Sequence, residues 1–358
     1  MEKKQITRRE FFKLTGMGLA AGTWALNCGT RAFAAPGPIP FGTVRFAVIA
    51  DTHLDTRGKN AMKMSAVSVD CVRKTVEALN REPQLQFVVL AGDLLLDGEW
   101  ENARVLKTEL DRLKAPYYVV AGNHDFIPPD PKKHRQGFTY MTIEEFVDFF
   151  QGHGYDESKK RYYARQIVPG LRLIGMDACL VSDPKKWGGV LPHEQMAWLD
   201  EQLAGHEQDL HILVMHHNFL RWSGDERKGG PKEWFCVDND EAVRNLLSKH
   251  AKAAPVAISA HRHIGLNTKE VRGVNYFIAP SVNSHPMRYT VFSITNQRIS
   301  WKTPMVPVPE TVHLEARENL LNAKWWRASQ YSERSASNDQ MVLRFYENDP
   351  MIFGSKKV

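Results

Sequence analysis

From residue 43 onwards, short apolar runs alternate with stretches whose apolar positions recur every three to four residues. Val44 to Ala50 carries a single charge and reads as a buried strand; Val69, Val72, Val76 and Leu79 then fall on one face of a helix. Leu85 to Ala91 repeats the first pattern, and Ala103, Leu106, Leu110 and Leu113 repeat the second. Tyr117 to Ala121, Leu171 to Gly175, Leu210 to Met215, Val256 to Ala260, Tyr276 to Ala279 and Tyr289 to Ile294 are further strands, with a helix marked by Met196, Leu199 and Leu203. Such alternation predicts an α/β fold with largely buried sheets. Ile127 to Gly137 and Ser223 to Lys232, rich in Pro, Gly and charge, read as surface loops. Beyond Pro304 the pattern thins, through Trp325-Trp326 to Met341–Phe345, and is expected to form an ordered extension packed on the main domain.

Composition changes this picture little. With 43% apolar and 25% charged residues in 358, the chain is ordinary globular material. The net charge of +6 is concentrated at the N-terminus, where residues 1–34 hold six bases against two acids. The remainder carries +2, which argues against a nucleic-acid partner.

That basic N-terminus reads as an address. Thr7-Arg8-Arg9-Glu10-Phe11-Phe12-Lys13 precedes an apolar stretch from Leu14 to Leu26, and Ala32-Phe33-Ala34 offers small residues for cleavage. The paired arginines resemble a twin-arginine signal, so residues 1–34 are expected to engage the twin-arginine export machinery, leaving a periplasmic or secreted protein. Leu26 and Asn27 match a lipid-attachment box at Cys28 poorly, and no later run is long enough for stable membrane insertion. Cys71, Cys179 and Cys236 remain, which allows one internal bridge at most and excludes a disulfide scaffold.

The chemistry sits where strands end. Asp51-Thr52-His53 follows the first strand, Gly92-Asp93 the second and Gly122-Asn123-His124-Asp125 the third; His216-His217-Asn218 and His261-Arg262-His263 follow later ones. Each short motif alone reads as well as a turn or helix cap. Together they fit a crevice, because the carboxyl ends of parallel strands converge.

In this order the motifs resemble the calcineurin-like metallophosphoesterase family, over residues 43–303. The run from Ala91 to Glu99, and Leu191 to Leu203, look like the branch containing cyclic-nucleotide phosphodiesterases. The resemblance implies a four-layer α/β/β/α sandwich of two mixed sheets, spanning 35–303, with 304–358 as the extension. It also implies two metal ions: Asp51, His53 and His263 at the first, Asn123, His216 and His261 at the second, and Asp93 bridging. This mixed nitrogen and oxygen set suits Mn, Fe or Zn, in divalent or trivalent form. Leu94 to Asp97 offer no tyrosine, which disfavours the purple-acid-phosphatase type.

Water acidified by two cations would attack phosphorus as hydroxide in a small phosphate ester, a diester in the first instance. His124 is the expected general acid, with Asp125 orienting its imidazole or raising its pKa. Ala260 stands where the family has glycine, which requires a negative φ there. Asn218 is expected to form a turn, His217 to lie behind the ligands, and Arg221, Trp222 and Lys228 to sit on a solvated loop; His285, like the other histidines outside the motifs, reads as structural, with a rim role as the one alternative to test. Alternatives are a phosphomonoesterase or nucleotide pyrophosphatase on the same site, with Arg262 and Arg221 as extra donors, and a non-catalytic metal- or phosphate-binding envelope protein.

Overall fold

The computed structural model describes residues 38–183, 187–222, 235–323, 343–344 and 346–358. Residues 1–34, expected to be an export signal, the stretch 223–232 with Lys228, expected to be a surface loop, and Trp325-Trp326 lie outside the described residues. Among the described residues the strands are β1 (Val44–Ile49), β2 (Leu85–Ala91), β3 (Tyr117–Val120), β4 (Tyr163–Val168), β5 (Leu171–Met176), β6 (Leu210–Met215), β7 (Val256–Ser259), β8 (Asn267–Val271), β9 (Val274–Ile278), β10 (Thr290–Ile294), β11 (Arg298–Lys302) and β12 (Phe353–Lys357). The helices are α1 (Ser68–Leu79), α2 (Trp100–Leu110), α3 (Ile143–Phe149), α4 (His193–Gly205), α5 (Asp240–Lys249) and α6 (Glu310–Asn322).

Two six-stranded mixed sheets result, ordered β12-β11-β10-β1-β2-β3 and β4-β5-β6-β7-β9-β8. In the first, β1, β2 and β3 run parallel, and β10, β11 and β12 are added antiparallel. In the second, β5, β6, β7 and β9 are parallel, and β4 and β8 flank them antiparallel. The parallel strands are apolar at nearly every position because both faces are covered. In β6, Ile212 and Val214 join the main core, whereas Leu213 and Met215 face a second cluster shared with Leu199 and Leu203 of α4 and Val243 and Leu247 of α5. Phe46 stacks between its register partners Phe87 and Phe292, at ring distances of 4.9 and 5.0 Å. Aromatic pairs of this kind fix strand register as well as burying area.

Several expectations are refined by specific contacts. The buried face of α4 runs through Gln195, Leu199 and Leu203, with Met196 half-buried, because Gln195 closes both backbone groups of Asp177. Within 127–137, Arg135 reaches under the surface to pair with buried Asp55 at 2.8 Å and buried Glu99 at 2.6 Å, so this segment is pinned, not merely a surface loop. The chain beyond 303 supplies α6 and β12, and β12 pairs with β11 along its whole length. Cys71, Cys179 and Cys236 are buried and free. No described helix is long and apolar enough to cross a membrane.

Candidate metal centre

Both sheets deliver side chains to one place. The ends of β1, β2 and β3 supply Asp51, His53, Asp93, Asn123 and His124, and the ends of β6 and β7 supply His216, His261 and His263. The chain makes these turns at a conformational cost. Asp51, His53, Asp93, His261 and His263 all adopt positive φ, between 37° and 72°. Asp and His tolerate this region better than most residues, but each instance still costs on the order of 1–3 kcal/mol and persists only where the surroundings enforce it. Close approach explains two glycines: a Cβ at Gly92 would lie 2.7 Å from His216 Nδ1, and one at Gly122 would lie 2.2 Å from the Asp93 backbone nitrogen. Ala260 avoids the left-handed region, so its methyl is accommodated, and its carbonyl accepts from Asn218 Nδ2 at 2.8 Å. Asn218 thereby ties the turn after β6 to the one after β7.

The ligand-type atoms fall into two groups that share Asp93. Asp51, His53, Asp93 and His263 form one, and Asp93, His216 and His261 the other; within each, one donor atom per residue lies within 4.8 Å of the rest. His53 Nε2 lies 3.0 Å from His263 Nε2 and 3.5 Å from Asp93 Oδ2. His216 Nε2 lies 3.2 Å from Asp93 Oδ1 and 3.0 Å from His261 Nδ1. His263 Nε2 lies 3.4 Å from Asp51 Oδ1. The two oxygens of Asp93 thus face different imidazoles.

The donor set fits cations. Asp51 Oδ2 and both side-chain atoms of Asn123 are buried without a hydrogen-bond partner, and buried polar atoms are seldom left so. His216 Nδ1 meets the Ala91 carbonyl at 2.9 Å and His263 Nδ1 meets Ser284 Oγ at 2.9 Å. A carbonyl only accepts, so His216 Nδ1 carries a proton and Nε2 is the nitrogen turned to the cluster, as metal-binding histidines require. Burial disfavours the His216 imidazolium, but the Asp93 carboxylate outweighs it and raises the group to about 9. A proton there does the electrostatic work of a cation beside Asp93.

His124 lies next to this cluster, and its backbone N–H donates to Asp93 Oδ1 at 2.9 Å. Its Nδ1 meets the Leu96 carbonyl at 2.6 Å and Asp97 Oδ1 at 3.1 Å, leaving Nε2 toward the cavity. Asp125 does not perform the expected task. Its carboxylate accepts from the backbone N–H groups of Gly122, Leu94 and Leu95 at 2.6 to 2.9 Å, tying the turn after β3 to that after β2. Adjacent residues on a turn diverge, and the acid that meets His124 is Asp97. Burial and the neighbouring Asp93 charge push Asp125 up to about 7, although its three N–H donors favour the anion.

Sequence reasoning also missed Lys63, whose Nζ lies 3.1 Å from His53 Nδ1 and 3.3 Å from His124 Nε2. No periodicity marks it; only the fold brings it there. Burial and then the Lys63 charge lower the pKa values of both histidines. A cavity of about 720 Å³ opens over the cluster, with Lys63, His124, Met62, Trp187 and Phe235 among its walls. His217 is buried, with Nε2 3.1 Å from the Trp187 carbonyl. Arg221 pairs with Asp240 at 3.2 Å, and Arg262 is fully buried, its guanidinium 4.5 Å from the Phe235 ring centre. His285 pairs with Glu347 at 2.9 Å and does not line the cavity.

Solved structures show what kind of fold carries this arrangement. A dimetal phosphatase from Danio rerio superposes with a TM-score of 0.56 at 20% identity, covering 74% of this chain and 96% of that one. A purple acid phosphatase from yellow lupin gives 0.53 at 14% identity, over 76% and 53%. These likenesses establish the metallophosphoesterase fold.

The family follows from residues 44–265, which match the model for calcineurin-like phosphoesterases; the chain belongs to that family. Among curated relatives, a protein named probable glycerophosphodiester phosphodiesterase from Arcobacter nitrofigilis is 27% identical over 47% of this chain. This chain spans only about half, 55%, of that relative. One named probable cyclic nucleotide phosphodiesterase from Synechococcus sp. is 25% identical over 59% of this chain and 74% of its own length. Family membership and the buried Asp/His cluster together support metal-dependent hydrolysis of phosphoric esters.

Proposed function

We propose that this protein is an exported phosphodiesterase that holds two metal ions, of manganese, iron or zinc. The observation that carries the reading is Asp93, whose two oxygens face His216 on one side and His53 on the other. Asp51, His53 and His263 would hold one ion, Asn123, His216 and His261 the other, and Asp93 would bridge them. When bound, two such ions supply charge neutralisation at the phosphoryl group and make water acidic enough to ionise near neutral pH.

The chain's own residues do the rest. The turns after β1, β2, β6 and β7 hold the ligands apart at fixed distances, in conformations the sheets enforce. His124 presents Nε2 to the cavity and gives a proton to the leaving oxygen, while Leu96 and Asp97 hold Nδ1 and keep the ring aimed. Met62, Trp187 and Phe235 form an apolar wall that excludes water and receives the leaving group. A diester as substrate is supported by this wall and by the names of the two relatives, both phosphodiesterases.

Export rests on the twin-arginine pattern in residues 1–34, and the 35–303 domain with its 304–358 extension would be the mature body. A second reading, monoester hydrolysis, is favoured by one observation: Lys63 places a cation beside the cluster, and a monoester brings an extra negative charge. Paired assays with bis- and mono-(nitrophenyl) phosphate on manganese-loaded protein test the choice. Faster turnover of the diester is expected; a strong preference for the monoester would overturn the diesterase reading. Cell fractionation checks export, and full recovery in the cytoplasm would overturn that part.

A further inference from the structure

His263 is held from two directions, by the loop that carries it and by Ser284, and both lead to one short segment near the end of the chain. The loop after β7 runs from His263 on to Gly265 and Leu266. Gly265 donates its N–H to the Tyr346 carbonyl, and Asn348 Nδ2 donates to the Leu266 carbonyl at 2.6 Å. A Cβ on Gly265 would lie 2.2 Å from the Glu347 carbonyl oxygen, so the two backbones touch where only glycine leaves room. Tyr346 is buried in one apolar cluster with Ile264 of this loop and Ile278 of β9.

The second direction starts at His263 Nδ1, which meets Ser284 Oγ at 2.9 Å. The next residue, His285, donates from Nε2 to Glu347 Oε1 at 2.9 Å, since a carboxylate only accepts. The same stretch also reaches Asp51, whose carbonyl accepts from Ser281 Oγ at 2.9 Å. Residues 346–348 are themselves tied to the first sheet. The Asn348 carbonyl accepts from Met351 N–H at 2.9 Å, the Met351 carbonyl accepts from Trp301 Nε1 of β11 at 2.9 Å, and β12 then pairs with β11. Asp51 and His53 come from the first sheet and His263 from the second, so the span between them depends on how the sheets are joined at this end. His216 has a direct tie across the sheets, from Nδ1 to the Ala91 carbonyl at the end of β2. His263 is tied through Ser284 and through 346–348 instead.

We propose that residues 346–348 are a clasp that positions His263 and thereby sets the affinity for the ion on the side of the centre that contains Asp51. The inference rests on the two-ion reading above and gives the extension beyond 303 a task within it. Glu347 and Asn348 are its positioning residues, and neither belongs to the ligand groups. Both also lie outside residues 44–265, which match the family, so the clasp is an addition to the shared domain. A ligand held in place before the ion arrives loses less freedom on binding, and that saving appears as affinity.

The test measures manganese affinity of the full-length protein at fixed pH, by equilibrium dialysis with elemental analysis, and Asp51→Asn marks which binding step belongs to that side. Glu347→Ala removes the acceptor of His285, and Asn348→Asp keeps the side chain's size while removing the donor to Leu266. Outer supports of a metal-binding histidine are worth about 10- to 100-fold in affinity, so the double variant should bind that ion about tenfold or more weakly and the other within about twofold of wild type. Glu347→Gln keeps an acceptor oxygen and should stay near wild type. Linkage supplies a second measurement that needs no variant. If the clasp stiffens the ion's site, the ion stiffens the clasp by the same factor, so hydrogen exchange at the Met351 N–H should slow about tenfold when wild-type protein is loaded with manganese. Unchanged manganese affinity in the double variant would overturn the clasp, as would an equal loss of both ions, which would make the extension a support of the whole fold. Exchange at Met351 indifferent to manganese would overturn it too, and decides alone should the double variant not fold. Wild-type protein that takes up one ion only would overturn the two-ion reading instead, and the clasp is then judged by that ion's affinity in the double variant.

Discussion

The two groups of ligands that meet at Asp93 differ in charge and in how they are held. On one side, Asp51 contributes a full carboxylate beside His53 and His263, and His263 is braced through Nδ1 by Ser284. On the other, Asp93 is the only carboxylate grouped with His216 and His261, and on the reading proposed above Asn123 would add an uncharged amide. Both sides present two imidazoles, and the local charge therefore decides their relative affinity. The side with its own carboxylate should bind its ion tightly and the amide side should bind more weakly, an arrangement in which one ion stays while the other exchanges.

The severest challenge to this contrast is Asp93→Ala, which removes the group both sides share. Loss of turnover on the order of 10³-fold or more is expected, with both ions depleted in elemental analysis; retention of either ion at full occupancy would show that the sides are independent. Asn123→Asp makes the two sides alike in charge. Its weaker ion should then bind about tenfold or more tightly, read by competition with a chelator, and turnover should fall if exchange of that ion matters. Ser284→Ala touches only the side containing Asp51, and a decrease of about tenfold in affinity for that ion alone is expected.

The smallest effect is a proton. Burial opposes the His216 imidazolium, but the Asp93 carboxylate raises the group to about 9, above the ordinary 6.5, so in metal-free protein its contribution to stability is complete below about 6.5 and fades as pH rises through 9. Metal uptake at pH 7.5 should therefore expel that proton from the amide side, measurable by calorimetry in buffers of different ionisation enthalpy, and uptake at pH 10 should not.

The sequence announced this site more clearly than the frame around it. Strands buried on both faces are nearly continuous apolar runs, and the parallel β1, β2, β3, β5, β6, β7 and β9 and the antiparallel β10 are legible for that reason. The strands that escaped, β4, β8, β11 and β12, lie at or towards sheet edges and mix charge with apolar positions, as in Asn267–Val271 and Phe353–Lys357. Their pairing partners decide their conformation, and a partner distant in sequence leaves no local mark. The ligand-type residues were visible because each follows a recognisable strand. Lys63, Ser284 and Asp97 follow no such rule. Asp97 lies within the run from Ala91 to Glu99 that carries the family resemblance, yet its contact with His124 spans 27 positions. Asp125, the immediate neighbour of His124, was the natural candidate and serves the backbone instead.

The left-handed backbone at Asp51, His53, Asp93, His261 and His263 carries one last implication. Conformations of this kind persist only where the surrounding structure enforces them, so the turns that carry these side chains are stiffly held. A rigid cage of fixed span discriminates among guests by ionic radius, whereas a pliable one would shrink or swell to suit each. Selectivity would then be written into the architecture, and softening any one of those five corners would broaden the range of ions admitted before it weakened the grip on the preferred one.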